Sequence, residues 1–365
     1  NNANLNFKNL ECIFQYNYQE RKKMRIRNIL LAIIFILIIA GVGGFFYINT
    51  LKDPVNAQDT TKREVTIESG SSGGQIARIL KDNGLIKDEK YFLFYANQNK
   101  LANLKSGVYE ISPSQNLEEI LKMLNTGGRP IGEKVTIIEG TTVAQIAELL
   151  STKGLADKQR FISLASDKSL FSSEFTFLQD QSIVSLEGFL YPETYFIRKG
   201  TSEEDIIRMI LTQTKEIYEK NNVFDIPQNL SPYITNVNQL ISLASIVEKE
   251  SSSKEYSARI AGVFIKRLGL DMALGSCPTV EYITGIHRGR VTYEETQIDS
   301  PFNTYKYKGL TPSPICTPTV ESINAVKNFE DTDYLFFVAK LDGTLVFTKT
   351  YEEHLAATKE IFGEY

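Results

Sequence analysis

The chain has 365 residues, of which 42% are hydrophobic and 23% charged, with a formal net charge of −4. That is a globular composition, long enough for about two or three domains. Its mild acidity excludes nucleic acid as the partner, because such a surface needs a strongly basic domain.

Residues 1–23 contain no Met, and the first one, Met24, directly precedes Arg-Ile-Arg and a long apolar segment. This points to Met24 as the natural start and to residues 1–23 as a non-native or cytoplasmic extension. Ile29 to Ile48 is a run of twenty residues without a charge, enough to span a bilayer as a helix. Arg21, Lys22, Lys23, Arg25 and Arg27 precede it, so the positive-inside rule puts the N-terminus in the cytoplasm and the bulk of the chain outside. A cleaved secretory signal is the alternative, and either way the main body is exported. Of the three cysteines, Cys12 falls on the inner side; Cys277 and Cys316 fall outside, where a disulfide is chemically allowed. His287 and His354 lie far apart, and no Cys/His cluster has ligand spacing, so neither a metal nor another cofactor is predicted.

A polar linker over residues 52–63 leads to Val65-Thr-Ile-Glu-Ser-Gly-Ser-Ser-Gly-Gly-Gln-Ile-Ala-Arg-Ile-Leu-Lys-Asp-Asn-Gly-Leu85. The pattern recurs 70 residues on, as Val135-Thr-Ile-Ile-Glu-Gly-Thr-Thr-Val-Ala-Gln-Ile-Ala-Glu-Leu-Leu-Ser-Thr-Lys-Gly-Leu155. Each copy reads as a short strand, a turn at Gly70 or Gly140, a helix opened by a Ser or Thr pair, and a stop at Gly84 or Gly154. The first copy continues into a helix at Tyr91, a strand at Ser106 and a helix at Leu117. This strand-helix-helix-strand order over residues 64–130 resembles a LysM-like glycan-binding module, with a plain spacer as the equal reading. After the second copy, Leu186-Glu-Gly-Phe-Leu-Tyr-Pro-Glu-Thr-Tyr195 reads as an aromatic and acidic loop, and Ser202 to Lys220 as a helix.

The segment around which the rest is organised is Asn238-Gln-Leu-Ile-Ser-Leu-Ala-Ser-Ile-Val-Glu-Lys-Glu-Ser251, an almost wholly apolar helix ending in two acids. Glu250 shares a face with Leu243, Ile246 and Val247, whereas Glu248 lies over Ile241, Ala244 and Ser245, so the two point roughly 200° apart. Burial beside large apolar side chains raises a carboxyl pKa, as a general acid near neutrality requires, which favours Glu250. The bland alternative is two ordinary helix-end acids. A second helix, Tyr256 to Leu268, leads to Pro-, Asn- and Tyr-rich segments at Leu274–Tyr282, Asp299–Tyr305 and Gly309–Pro318, which read as long loops that either line a cleft or simply turn. Tyr334–Lys340 and Thr344–Lys349 form a hairpin about an Asp-Gly turn, and a helix runs from Tyr351 to Phe362, with His354 as a surface or packing residue.

Leu243-Ala-Ser-Ile-Val-Glu-Lys-Glu250, Leu186–Tyr195, Pro278-Thr-Val-Glu-Tyr282, Ser300-Pro-Phe-Asn-Thr-Tyr305 and Gly309-Leu-Thr-Pro, in this order behind one membrane helix, resemble the endolytic murein transglycosylase (YceG-like) family. The resemblance runs from Val65 to the C-terminus. It implies an α+β chain: an N-terminal basic flank and transmembrane helix (24–51), the LysM-like module (64–130) and a mixed α+β catalytic domain (131–365). It also implies a lytic transglycosylase that cuts the β-1,4 bond between N-acetylmuramic acid and N-acetylglucosamine within nascent glycan strands, leaving 1,6-anhydro ends. By motif the essential acid is Glu250. Thr279, Tyr282, Asn303, Tyr305 and Glu248 are implied as substrate-binding or supporting residues, with Asn303 offering its amide to acetamido groups and Tyr305 stacking on sugars. Implied partners are peptidoglycan strands, the cytoplasmic membrane, and penicillin-binding synthases with elongation or division proteins. Cys277 stands where the family commonly has Asp and Cys316 where Asn is common, and a Cys277–Cys316 disulfide would account for both. A catalytically silent glycan-binding scaffold and a hydrolytic muramidase are the alternatives.

Overall fold

A computed structural model of the chain describes residues 24, 27, 30, 31, 33–251, 253–288 and 291–363. The 1–23 extension, Cys12 and most of the basic flank lie outside the described residues. Helix α1 (Ile33–Thr50) is strongly apolar and carries no charged residue, with Phe35, Leu37, Phe45 and Phe46 exposed. A helix of this length and composition is a candidate membrane span. The chain then divides into two compact units, the first ending at Ile131 and the second running from Gly132.

In the first unit β1 (Arg63–Ile67) is followed by α2 (Gly73–Asp82), α3 (Glu89–Gln98), β2 (Gly107–Ile111) and α4 (Leu117–Thr126). β1 and β2 pair antiparallel with Val65 opposite Tyr109. Alternation puts Val65, Ile67, Tyr109 and Ile111 on one face, where they meet Ile76 and Leu80 of α2, Phe92 of α3 and Ile120 and Leu124 of α4. Side chains set the helix starts. Ser72 with Gln75 and Asn116 with Glu119 form capping boxes, and Asp88 accepts the Tyr91 N–H at 2.7 Å.

The second unit opens with β3 (Glu133–Thr136), α5 (Val143–Thr152) and α6 (Lys158–Ala165). β4 (Thr194–Ile197) then returns to pair antiparallel with β3, setting Val135 opposite Tyr195. α7 (Glu203–Lys220) starts on a Ser202 cap and buries Ile206, Ile207, Ile210 and Leu211. α8 (Val237–Glu250) lies in the middle of the core, with Asn238 and every residue from Leu240 to Val247 buried. α9 (Ser257–Gly269), α10 (Cys277–Thr284) and α11 (Val320–Lys327) all pack against it. β5 (Phe336–Ala339) and β6 (Leu345–Thr348) form an antiparallel hairpin, and α12 (Tyr351–Phe362) packs on both. The architecture is therefore mixed α+β, with helices dominant and sheets of two strands.

One segment differs from the sequence reading. Cys277–Thr284, expected within a loop because of its proline, is a helix: Pro278 occupies the first turn, where its missing N–H costs nothing, and Gly285 ends it in a left-handed conformation. The aromatic loop after α6 crosses the core so closely that Gly188, at φ +84°, leaves no room for a side chain. A Cβ there would lie 2.3 Å from Pro314 Cβ and 3.1 Å from Ile241 of α8.

Candidate active site

The apolar run of α8 carries Glu250 out of the core and onto the floor of a cleft of about 610 Å³. Glu250 is partly buried, and its Oε1 accepts a 2.6 Å hydrogen bond from Ser276 Oγ. Burial pushes its pKa up to about 7; the Ser276 hydroxyl and the positive charge of Arg267 oppose the rise, and the negative charge of Glu281 adds to it. The upward shift expected from the helical faces is thus present. Among the described residues Oε2 has no hydrogen-bond partner. At pH 7 this carboxyl is divided between its acid and its base form, so it can give a proton in one step and take one in the next.

The other walls come from α9, α10, the segment between Val291 and Tyr305, the C-terminal hairpin and α12, which brings His354 to the cleft. Arg267 of α9 donates from Nε to the Leu335 carbonyl (2.6 Å) and from Nη1 to the Leu274 carbonyl, and its guanidinium lies 5.0 Å from the Phe336 ring centre. It thereby ties the approach to α10 to the approach to β5. Thr304 and Thr279 form a buried peg beneath Ser276. Thr304 Oγ1 accepts the Ser276 N–H (3.0 Å) and bonds Thr279 Oγ1 (2.8 Å), while Thr279 Oγ1 donates to the Ser276 carbonyl at 2.7 Å. Thr279 is fully buried, so its place is behind the hydroxyl that holds Glu250.

Asn303 and Tyr305 divide the roles expected of them. Asn303 is fully buried, and its amide donates to the carbonyls of Thr296 (3.0 Å) and Ile298 (2.8 Å) while Oδ1 accepts the Tyr305 N–H (3.1 Å). Its amide is thus spent on folding the loop, in a supporting place. Tyr305 is the exposed product of that fold: it lines the cleft with Glu250, its hydroxyl 3.0 Å from Cys277 Sγ. Cys277 and Cys316 are free thiols, which corrects the disulfide expectation. Cys316 is buried and donates to the Ser245 carbonyl of α8 at 3.4 Å, whereas Cys277 faces the cleft, so the two occupy different environments.

Glu248 leaves α8 in the other direction. Its Oε2 accepts both the backbone N–H and the hydroxyl of Thr319 at 2.8 Å, which anchors the N-cap of α11 to the end of α8. Tyr282 belongs to a second chamber, next to the first, where its hydroxyl donates to Glu187 Oε2 at 3.4 Å and its ring lies 5.0 Å from Phe302. Glu187 is buried, accepts the Val143 N–H at 3.0 Å, and is pushed up to about 7 by that burial. Sequence reasoning missed Ser276, Arg267, Glu187 and Glu281 as site residues. Ser276, Glu187 and Glu281 all stand inside stretches already singled out, but nothing in the spacing says that the hydroxyl of residue 276 reaches residue 250.

The chain is similar over most of its length to known proteins. Residues 65–360 match the YceG-like family. The endolytic murein transglycosylase of Bacillus subtilis (strain 168) is 35% identical over 328 residues, covering 87% of this chain and 90% of the relative. The endolytic murein transglycosylase of Streptococcus pneumoniae serotype 2 is 30% identical over 90% of this chain, which spans 64% of that longer relative. A crystal structure of a YceG-like protein from Listeria monocytogenes superposes with a TM-score of 0.56 at 33% identity, covering 81% of this chain and 98% of the other.

Proposed function

The chain belongs to the YceG-like family, and from that membership we propose that it is an endolytic peptidoglycan lytic transglycosylase anchored in the cytoplasmic membrane by α1. The observation that carries the reading is Glu250: an acid at the end of a buried helix, held by one serine hydroxyl in an open cleft, with a pKa of about 7. Glu250 in its acid form protonates the oxygen between muramyl C1 and the departing glucosaminyl unit. The carboxylate then removes the proton from the muramyl 6-hydroxyl as that oxygen closes on C1. One carboxyl is enough, because the intramolecular hydroxyl replaces the water or covalent adduct for which glycosidases keep a second one. Ser276 and Arg267 favour the carboxylate form and so ease the first proton transfer; Tyr305 offers a ring on which a sugar stacks.

In this reading residues 131–365 form the catalytic domain outside the membrane, with the N-terminus in the cytoplasm. Residues 64–130, with their strand-helix-helix-strand order, act as a LysM-like module that contacts glycan. Cuts inside nascent strands limit strand length and place the protein beside penicillin-binding synthases and elongation or division proteins. The test is mass spectrometry of products released from uncrosslinked glycan strands by the full chain in detergent. Wild type is expected to release 1,6-anhydromuramyl ends and Glu250→Gln to lose about a hundred- to ten-thousand-fold in rate, the usual range for removal of a catalytic proton donor. Reducing muramyl ends would point to a hydrolase instead, and strand binding with no cleavage by wild type to a scaffold. Because the acid form starts the reaction, the rate should fall as pH rises through about 7.

A further inference from the structure

We propose that the second chamber, the one lined by Tyr282 and Lys249, binds the peptide stem of the muramyl unit and that the Lys249 ammonium recognises a stem carboxylate; this rests on the transglycosylase reading above. The chamber has a volume of about 610 Å³ and shares Lys249, Pro278 and Glu281 with the Glu250 cleft. A polymer whose scissile bond lies over Glu250 therefore has a compartment beside it. The lactyl-linked peptide on the muramyl ring is the branch that leaves the sugar axis, and it carries free carboxylates.

The charges facing the chamber decide what it takes. Lys158 pairs with Glu148 at 2.7 Å, and Glu281 is engaged by His287 (3.2 Å) and by the Arg288 N–H (2.9 Å). Glu187 is buried on the Val143 N–H and the Tyr282 hydroxyl. Lys249 differs from all of these. Among the described residues no carboxylate pairs with its ammonium, whose hydrogen bond is a long one of 3.5 Å to the Gly140 carbonyl. Its side chain lies over the Gly140 turn, where an added Cβ would stand 3.2 Å from Lys249 Cδ and 3.6 Å from Nζ. It also borders a smaller recess with Glu139 and Glu248, and the Glu248 carboxylate is taken by Thr319. Among the described residues the chamber therefore presents one unspent cation, with the tilted Tyr282 and Phe302 rings as an apolar wall. An anion on a short, partly apolar arm fits that combination.

The test is calorimetric titration of the full-length Glu250→Gln chain in detergent with N-acetylmuramyl-L-alanyl-D-glutamate and with the same compound amidated at both glutamyl carboxylates. The acid is expected to bind about ten-fold more tightly than the diamide, the size of one charge-assisted hydrogen bond. Lys249→Met should erase that ratio, and Lys249→Arg should keep most of it. Equal binding of the two compounds, binding of neither, or a ratio that survives Lys249→Met overturns the assignment. Strand cleavage by the wild-type chain is read separately. Cleavage without acid–diamide discrimination removes the stem site and leaves the transglycosylase standing, whereas discrimination without cleavage does the reverse.

Discussion

The strand, turn and helix beginning at Val65 and those beginning at Val135 are the same device built twice. Both helices start on a capping box, Ser72 with Gln75 and Thr142 with Gln145, and both bury the same three positions, Ile76, Ala77 and Leu80 in one and Ile146, Ala147 and Leu150 in the other, with Leu85 and Leu155 buried just after the glycine stops. Their surroundings differ. In the first copy the helix start is Gly73, where a Cβ would press on Leu93 Cδ2 at 3.1 Å, and the turn at Gly70 has nothing within 4 Å. In the second, the equivalent N–H of Val143 binds the buried Glu187, and the Gly140 turn lies under Lys249. The buried face is what makes the motif fold; the turn and the first helical N–H are free to be put to use, and only the second copy uses them in a cleft.

The largest test of this division is a matched pair of cavities. Ile76→Ala and Ile146→Ala each empty a site that is essentially closed to solvent, at a cost of about 3 kcal/mol apiece. Hydrogen exchange should report each loss in the amides of the core to which the residue belongs. Ile146 shares its core with α8, so Ile146→Ala should also lower strand cleavage. An equal fall in cleavage for Ile76→Ala would break the comparison.

Next in size is the carboxyl that only the second copy recruits. Burial raises Glu187 from its ordinary 4.5 to about 7, so the folded chain holds this proton more tightly than the unfolded one. The sign follows: stability is fullest below about 4.5 and is lost as pH rises to about 7, and Glu250 acts in the same direction. Glu187→Gln keeps an acceptor for the Val143 N–H and removes the titration. Chemical denaturation should find it about 2 kcal/mol more stable than wild type at pH 8, somewhat less than the full shift would give, and nearly unchanged at pH 4. A variant no more stable at pH 8 would mean that the carboxylate is held there by contacts worth more than its desolvation.

What was legible in the sequence divides along physical lines. Caps, glycine stops, the buried α8 and the opposed directions of Glu248 and Glu250 follow from local periodicity, because the interactions concerned reach only a few residues. The Glu250–Ser276 bond spans 26 residues and the Glu187–Val143 bond 44, and no local pattern encodes such meetings. Proline misled at Cys277–Thr284 because it punctuates loops and also opens helices, and only the neighbouring structure decides which. Asn303 shows the limit of arguing from residue type. An amide suits a sugar as well as a carbonyl, and in the fold Thr296 and Ile298 claim it.

The smallest expected effect is also the sharpest test of the two turns. Gly70 and Gly140 have nearly the same left-handed backbone, φ +79° and +72°, so alanine should cost each about 1 kcal/mol of strain. Beyond that the two variants part. The Cβ of Gly70→Ala meets nothing within 4 Å, while that of Gly140→Ala presses on Lys249 Cδ at 3.2 Å, so the lysine side chain must shift by a few tenths of an ångström. Gly140→Ala should therefore lower the preference for the acid over the amidated muramyl peptide by about three-fold, roughly half the free energy of the contact, whereas Gly70→Ala leaves it unchanged. If both variants lose the same stability and keep the same preference, Gly140 is a turn glycine like its twin, and the position of Lys249 owes nothing to it.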